Sequence, residues 1–339
     1  MSETTPRNDV FSYKPLDTEL ANALSCPAAT SFIEVKLEEF TASETPFGDG
    51  LPWQPKACVL PDKYQQFAER VRNFPVYDDD VWIITFPKCG TTWTQEMVWL
   101  IDHNLDFETA KRESINSRSV YLEISGIAKN LPVDTVAAAA SKARPRHIKS
   151  HLPLALLPKQ LWTVKPKIIY VSRNPKDVAV SYWHHYKMIM GYRGPREHFL
   201  EALLADQVVY CPQVQHVLDF WRLRDEQNVL FLTYEQMKRN LRHLLPKVCD
   251  FFGKQYSNQQ LDELAQHLSF DEMKKNPATN NSDLTKGAME MNGRKGESFE
   301  FMRKGQVGDY KNELSAEYVE RLDQYIEQQL GGSDFRFEQ

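Results

Sequence analysis

No stretch of this 339-residue chain reaches the about 18 consecutive apolar residues that a membrane-crossing helix needs, and the opening Met1-Ser2-Glu3-Thr4-Thr5-Pro6-Arg7-Asn8-Asp9 has no apolar signal region. Cysteine is scarce and scattered: Cys26, Cys58, Cys89, Cys211 and Cys249 form an odd set without a CxxC pair, which argues against a disulfide framework, a zinc knuckle or a dithiol centre. Excess charge is missing too. A net charge of −5 gives the chain no overall footprint for nucleic acid or an anionic membrane, so any anion site must be a local concentration of cations. No internal repeat or low-complexity linker divides the chain. What remains is 42% hydrophobic and 26% charged, enough to build a large core. A reduced, cytoplasmic setting and a small-molecule partner are the simplest expectations.

The most informative segment is Thr85-Phe86-Pro87-Lys88-Cys89-Gly90-Thr91-Thr92-Trp93. The apolar run Val81-Trp82-Ile83-Ile84-Thr85-Phe86 stops at Pro87, and Trp93, Met97, Leu100 and Ile101 then recur at helical spacing. A strand, a tight loop and a helix N-terminus bind anions, because unpaired backbone N–H groups and the helix dipole face whatever lies above the loop. Lys88 adds a charge, and Thr91 and Thr92 add hydroxyl donors. The order differs from a Walker A loop, where lysine follows the second glycine and a Ser/Thr holds Mg²⁺. Here Lys88 precedes Gly90, which suggests another phosphate- or sulfate-bearing ligand.

From residue 81 onward strands and helices alternate, the pattern of an α/β fold with a central parallel sheet flanked by helices. Strands are expected at 81–86, 146–150, 167–171 and 228–233. A helix is expected from Pro61 to Asn73, another from Asn174-Pro175 to about Met190, and further helices over 234–275. The final helix carries Leu314, Tyr318, Leu322, Tyr325 and Ile326 on one stripe. Residues 279–298 read as a Gly/Asn-rich loop and 44–52 as a turn-rich one. Residues 1–40 read as a polar, patternless arm, mobile or draped over the surface, and 41–339 as one domain. Ligands of open parallel sheets bind beyond the carboxyl ends of the strands. The loop at 87–93, His151, Arg173 and Tyr234 all fall there.

The loop closely resembles the 5′-phosphosulfate loop of the cytosolic sulfotransferases, Tyr-Pro-Lys-Ser-Gly-Thr-Thr-Trp, with Cys89 in place of the serine. His147-Ile148-Lys149-Ser150-His151-Leu152-Pro153 is similar to the family's Lys-Thr-His-Leu-Pro element, and Ile168 through Tyr182 to its second long signature. Phe301-Met302-Arg303-Lys304-Gly305 is similar to its Arg-Lys-Gly loop. The likeness spans roughly residues 52–332, in family order. It implies that His151 is the general base, with Lys88 and Lys149 the cations at the reacting groups. It also implies 3′-phosphate contacts from Arg173, Ser181, Arg303, Lys304 and Gly305. The 5′ side of the donor would lie on Lys88, Cys89, Gly90, Thr91 and Thr92, and the adenine among Trp93, Tyr234, Ser269 and Phe270. A neutral imidazole can take a hydroxyl proton at neutral pH, Arg forks suit phosphate oxygens, and aromatic faces suit a base. Leu268 stands where many relatives have Thr, and His185 where many have Phe.

The resemblance thus implies sulfuryl transfer from 3′-phosphoadenosine 5′-phosphosulfate, leaving adenosine 3′,5′-bisphosphate. The acceptor would be a small apolar molecule with a hydroxyl, such as a phenol, steroid or retinoid-like alcohol, an amine being the second choice. No metal is expected, since no Walker B acid or ligand cluster accompanies the loop, and adjacent His184 and His185 do not share a helical face. The acceptor pocket is expected to use Tyr182, Trp183, His184, His185, Tyr186, aromatics of the 50s to 70s and part of the arm. The family's dimer motif is degraded: Lys311 and Glu320 fit, but Ser315 and Ala316 replace Thr-Val, which leaves a homodimer open. An ATP-dependent small-molecule kinase and a nucleotide-binding relative without turnover stay as alternatives.

Overall fold

The structure, a computed structural model, describes residues 10–47 and 53–338. At its centre five strands lie side by side, all parallel, in the order β5-β6-β4-β7-β8. They are β4 (Val81–Thr85), β5 (Ser119–Tyr121), β6 (His147–Ser150), β7 (Lys167–Ser172) and β8 (Val229–Thr233). Side chains alternate across a strand, so a sheet covered on both faces needs apolar residues at every position. Trp82, Ile84, Ile168, Tyr170 and Phe231 pack into one hydrophobic cluster, while Val81, Ile83, Ile169, Val171, Leu230 and Leu232 pack into another. That double burial is why these strands read as unbroken apolar runs.

Register then aligns the functional loops. Ile84 pairs with Ser150 and with Tyr170, and Ser172 with Thr233, so β4, β6, β7 and β8 end together. Directly beyond them come Pro87 to Gly90, His151, Arg173 and Tyr234. The helix Thr91–Asp102 starts after Gly90, and the helix Pro175–Met188 starts after Asn174, whose side chain accepts from the Lys176 N–H. Pro175 at the first turn costs nothing, because its missing N–H would have had no helical partner.

Three expectations need correction. Residues 11–37 are not patternless. β1 (Phe11–Pro15), β2 (Phe32–Leu37) and β3 (Cys58–Pro61) make an antiparallel sheet in the order β1-β2-β3, with Phe11 opposite Leu37 and Val35 opposite Cys58. Ile33, Val35 and Leu37 bury one face while Glu34 and Lys36 stay more open, a period-2 signal present in the sequence. Second, the segment expected as one helix from Pro61 is a 3₁₀ turn, Asp62–Gln66, followed by a short α-helix, Ala68–Arg72. Third, the 279–298 loop contains a helix, Ser282–Met291, that buries Thr285 and Met289. Of the turn-rich 44–52 segment, residues 48–52 lie outside the described residues, as do 1–9 of the arm. No helix among the described residues is long and apolar enough to cross a membrane.

Candidate active site

Lys88 and Gly90 both take positive φ, 69° and 95°, which lets the chain double back between β4 and the helix Thr91–Asp102. Glycine adopts that conformation freely; lysine does so only where its surroundings hold it. Here Arg173 supplies the hold, its guanidinium donating to the Lys88 carbonyl at 3.0 Å and to the Gln306 carbonyl at 3.0 Å. A Cβ on Gly90 would lie 2.7 Å from the Tyr234 ring, and one on Gly305 would lie 2.3 Å from the Phe270 ring. Both glycines are therefore needed for close aromatic approach. Trp93 and Tyr234 meet edge-on at 5.8 Å, and with Phe270 they line one end of a cavity of about 580 Å³.

Of the catalytic and donor-binding residues singled out from the sequence, all but Cys89 and Ser269 line this one cavity. Cys89 is fully buried with its thiol toward the Pro87 carbonyl, and burial raises its pKa, so it is held as a neutral thiol. Ser269 caps the helix Phe270–Lys275. Within the acceptor side, Tyr182 and His185 line the cavity and Ala28 joins from the N-terminal segment. Trp183 and Tyr186 belong instead to the core, as do Trp53, Tyr64 and Phe74, and His184 bonds Glu313 at 2.8 Å.

His151 is fixed from three directions. Its Nδ1–H donates to the Thr85 carbonyl at 2.7 Å, leaving the lone pair on Nε2, which has no partner among the described residues and belongs to the cavity side. Its backbone N–H donates to Glu123 Oε1 at 2.6 Å, and its carbonyl accepts from His216 at 3.2 Å. Burial, reinforced by Lys149, pushes its pKa well below the usual histidine range, so the ring is neutral at pH 7. Glu123, fully buried, is raised by burial to about 7. It also accepts from Tyr210, whose hydroxyl meets that of Tyr121 at 2.6 Å.

The cations divide into two sets. Lys88 and Lys149 have no ion-pair partner among the described residues; their ammonium groups sit over the rings of Phe301 at 4.2 Å and Tyr121 at 4.4 Å. Burial lowers Lys88 to about 7, with Arg173, Lys149 and Arg303 adding repulsion, and burial lowers Lys149 to about 8. Arg303 and Lys304, by contrast, are already paired. Arg303 reaches Glu313 at 2.7 Å and Asp309 at 2.8 Å, and Lys304 reaches Asp309 at 2.8 Å and Glu313 at 3.2 Å. A phosphate placed there must compete with two carboxylates.

Sequence reasoning passed over Glu123, Tyr121 and Tyr210, whose partners lie 28 to 89 positions away. It also passed over Lys238, one helical turn beyond Tyr234, which lines the cavity and lies over the Trp93 ring at 5.8 Å.

A doubly wound sheet with an anion loop, a neutral histidine and clustered cations at its carboxyl edge defines an α/β protein built to handle a phosphate- or sulfate-bearing ligand. Comparison narrows the class. The family model described as "Sulfotransferase domain" matches residues 78–334. Luciferin sulfotransferase of Photinus pyralis is 37% identical over 290 residues, covering 80% of this chain and 77% of the relative. Sulfotransferase 1E1 of Bos taurus is 38% identical over 279 residues, covering 81% and 92%. The crystal structure of retinol dehydratase in a complex with retinol and PAP superposes with a TM-score of 0.83 at 25% identity, over 97% of this chain and 99% of that one. The chain belongs to the sulfotransferase family.

Proposed function

We propose that this protein transfers a sulfuryl group from 3′-phosphoadenosine 5′-phosphosulfate to the hydroxyl of a small, largely apolar acceptor, with His151 as general base. One observation carries the reading. Lys88, Lys149 and Arg173, none with a carboxylate ion-pair partner among the described residues, converge on the cavity that a neutral His151 also lines.

The residues present fit the donor. Lys88, Thr91, Thr92 and the helix N-terminus suit its 5′ side, Trp93, Tyr234 and Phe270 its adenine, and Arg173, Ser181, Arg303 and Lys304 its 3′-phosphate. Buried Trp93 Nε1 and Arg173 Nε lack hydrogen-bond partners among the described residues, as donors awaiting a polar ligand would. When bound, the donor supplies the electrophilic sulfuryl group and a phosphate leaving group. His151 Nε2 accepts the acceptor's hydroxyl proton, and the Thr85 carbonyl keeps the opposite proton on Nδ1. Lys88 and Lys149 stabilise negative charge as it shifts between the reacting oxygens, the kind of electrostatic help that dominates phosphoryl transfer. Beyond His151 the cavity is walled by Ile124, Ile127, Leu131, Val133, Ile189 and Met190, with Leu284 and Met291 from the helix Ser282–Met291. Such walls favour phenols, steroids or retinoid-like alcohols, and the relative that holds PAP also holds retinol.

Calorimetry with adenosine 3′,5′-bisphosphate, AMP and ATP tests the donor assignment. Charge-assisted bonds to the 3′-phosphate should make the bisphosphate bind at least about tenfold more tightly than AMP. Equal affinity for AMP would overturn the assignment. A screen of hydroxyl acceptors with labelled phosphosulfate donor then identifies the second substrate.

A further inference from the structure

The amino edge of the central sheet, opposite the cavity, holds a second cluster that sulfuryl transfer does not use. The helix Thr91–Asp102 ends there, so Asp102 and the following residue, His103, lie beside His147, the first residue of β6. One ligand atom from each of the three lies within 4.8 Å of the other two. His147 Nε2 is 2.8 Å from the Asp102 carboxylate.

His103 is oriented twice over. Its ring stacks on Trp99 with centroids 4.2 Å apart and planes 12° apart, and its Nδ1–H donates to the Trp99 carbonyl at 2.9 Å. That bond places the proton on Nδ1 and leaves the lone pair on Nε2. Histidines that ligate metals are commonly fixed in this way, by a carbonyl or carboxylate on the far nitrogen. His147 is 1% exposed and presents Nε2 to the Asp102 carboxylate, so a metal here would take the Nε2 lone pair and leave the ring proton on Nδ1, which has no partner among the described residues. The helix C-terminus adds partial negative charge to that of Asp102. The two lysines whose charge reaches this cluster bond elsewhere, Lys142 to the Ser117 carbonyl at 2.6 Å and Lys254 to Asn104 at 2.8 Å. The Asp102 side chain is 21% exposed, so an ion and its waters can enter from solvent.

The geometry points to a metal site of the Zn²⁺ class, with Asp102, His103 and His147 as protein ligands and water completing a tetrahedron. Two imidazoles and one carboxylate suit Zn²⁺, Co²⁺, Ni²⁺ or Cu²⁺, whereas Mg²⁺ and Ca²⁺ prefer all-oxygen sets. Bonds of about 2.0–2.1 Å put neighbouring ligand atoms roughly 3.3 Å apart in a tetrahedron. The 4.8 Å span therefore has to close by small rotations of Asp102 and His103 at the helix end, with β6 staying fixed. A bound ion would tie the end of the loop helix to the start of the strand that leads to His151. Its effect would be on the rigidity of the two elements that frame the cavity, and it would touch no reacting group.

The test uses the full-length protein stripped of metal and titrated with Zn²⁺, and with Co²⁺ as a visible probe. One equivalent should bind in calorimetry, Co²⁺ should show the intense visible absorption of a four-coordinate site that Zn²⁺ abolishes, and Zn²⁺ should raise the melting temperature by a few degrees. All three signals should vanish in His103→Ala and Asp102→Asn. Because both variants keep the five cysteines, adventitious thiolate binding would persist in them. Failure of wild type to bind near one equivalent would overturn the site, as would undiminished binding in both variants. Neither result bears on the donor assignment, which adenosine 3′,5′-bisphosphate binding reports separately.

Discussion

Basic residues stand at both ends of β6, and the protein treats them in opposite ways. At the amino end Arg146 is fully buried, and its guanidinium meets Asp80 at 2.8 and 2.6 Å, with the Pro75 and Ala139 carbonyls taking further donors. At the carboxyl end Lys149 has no ion-pair partner among the described residues: it sits over the face of Tyr121, and the neighbouring Glu123, which attracts it from a distance, accepts from the His151 backbone. A desolvated cation is costly unless a carboxylate compensates it. The amino end meets that requirement within the fold. The carboxyl end meets it only in part, through the distant Glu123, and a bound polyanion would complete it. Arg118 repeats the first pattern, bonded at 2.6 Å to Glu96, which also accepts from His267 at 2.7 Å.

The largest expected effect comes from breaking the paired end. Asp80→Ala leaves Arg146 buried and uncompensated, and chemical denaturation should show a loss of about 3–5 kcal/mol. Lys149→Met should cost less stability while lowering turnover, since Lys149 forms no ion pair among the described residues and is attracted to Glu123 only at a distance. If both variants lost stability equally, the contrast between the two ends would be wrong.

His151→Ala comes next. The kcat should drop by at least about 10²-fold, the lower range for general-base catalysis. Affinity for adenosine 3′,5′-bisphosphate should hold, because the imidazole serves the acceptor. In wild type the base is protonated only well below the usual histidine range, so the acid limb of the rate profile should lie under pH 6.5. A variant with near-normal kcat at saturating acceptor would leave the histidine structural.

What could be read in advance follows the same divide. Strands β4, β7 and β8 were legible because burial on both faces demands continuous apolar runs. The Pro87–Trp93 loop was legible because its lysine and glycine must occupy set positions around an anion. The pairing of Arg303 and Lys304 with Asp309 and Glu313 was not, since a basic run looks the same whether solvent, a ligand or a carboxylate faces it. The helix Ser282–Met291 hid behind Gly287 and the flanking Asn281 and Asn292, residues typical of loops. Its apolar residues Leu284 and Met291 face the cavity mouth instead of the core. In the antiparallel β1-β2-β3 sheet, β1 buries only Phe11, too little to declare a period, whereas the alternation of Ile33, Val35 and Leu37 in β2 was legible and passed over.

A proton count sharpens the carboxyl end further. Burial holds the ammonium of Lys88 near pKa 7 in the ligand-free cavity. A bound bisphosphate raises that value, because anions favour the charged form. Above pH 7, where the ligand's phosphates are largely deprotonated, binding should take up a proton, and affinity should fall as pH rises until the liganded lysine itself titrates. Calorimetry at pH 8 in two buffers of different ionisation enthalpy measures the uptake. Lys88→Met should cut the uptake to the smaller share left by Lys149, which burial holds near 8, and a wild-type count of zero would place the compensation elsewhere.

The smallest effect separates donor from acceptor within the same cavity. His185 lines it beside Tyr182, has no hydrogen-bond partner among the described residues, and carries a buried Nδ1 that nothing satisfies. Burial, with repulsion from Lys88, pushes its pKa well below the usual range, so it offers a neutral, polar ring. An unsatisfied buried polar atom costs about 1–3 kcal/mol, and phenylalanine removes it at similar volume. His185→Phe should therefore stabilise the ligand-free protein slightly, by up to about 1 kcal/mol. It should lower KM a few-fold for an acceptor with one hydroxyl on an apolar frame. For an acceptor with a second polar group near the reacting hydroxyl KM should instead rise, because the ring nitrogen available to that group is gone. Donor affinity should not move. If KM changed in the same direction for both acceptors, His185 would be serving as shape alone, and the polar character of this wall would have no bearing on which alcohol the protein prefers.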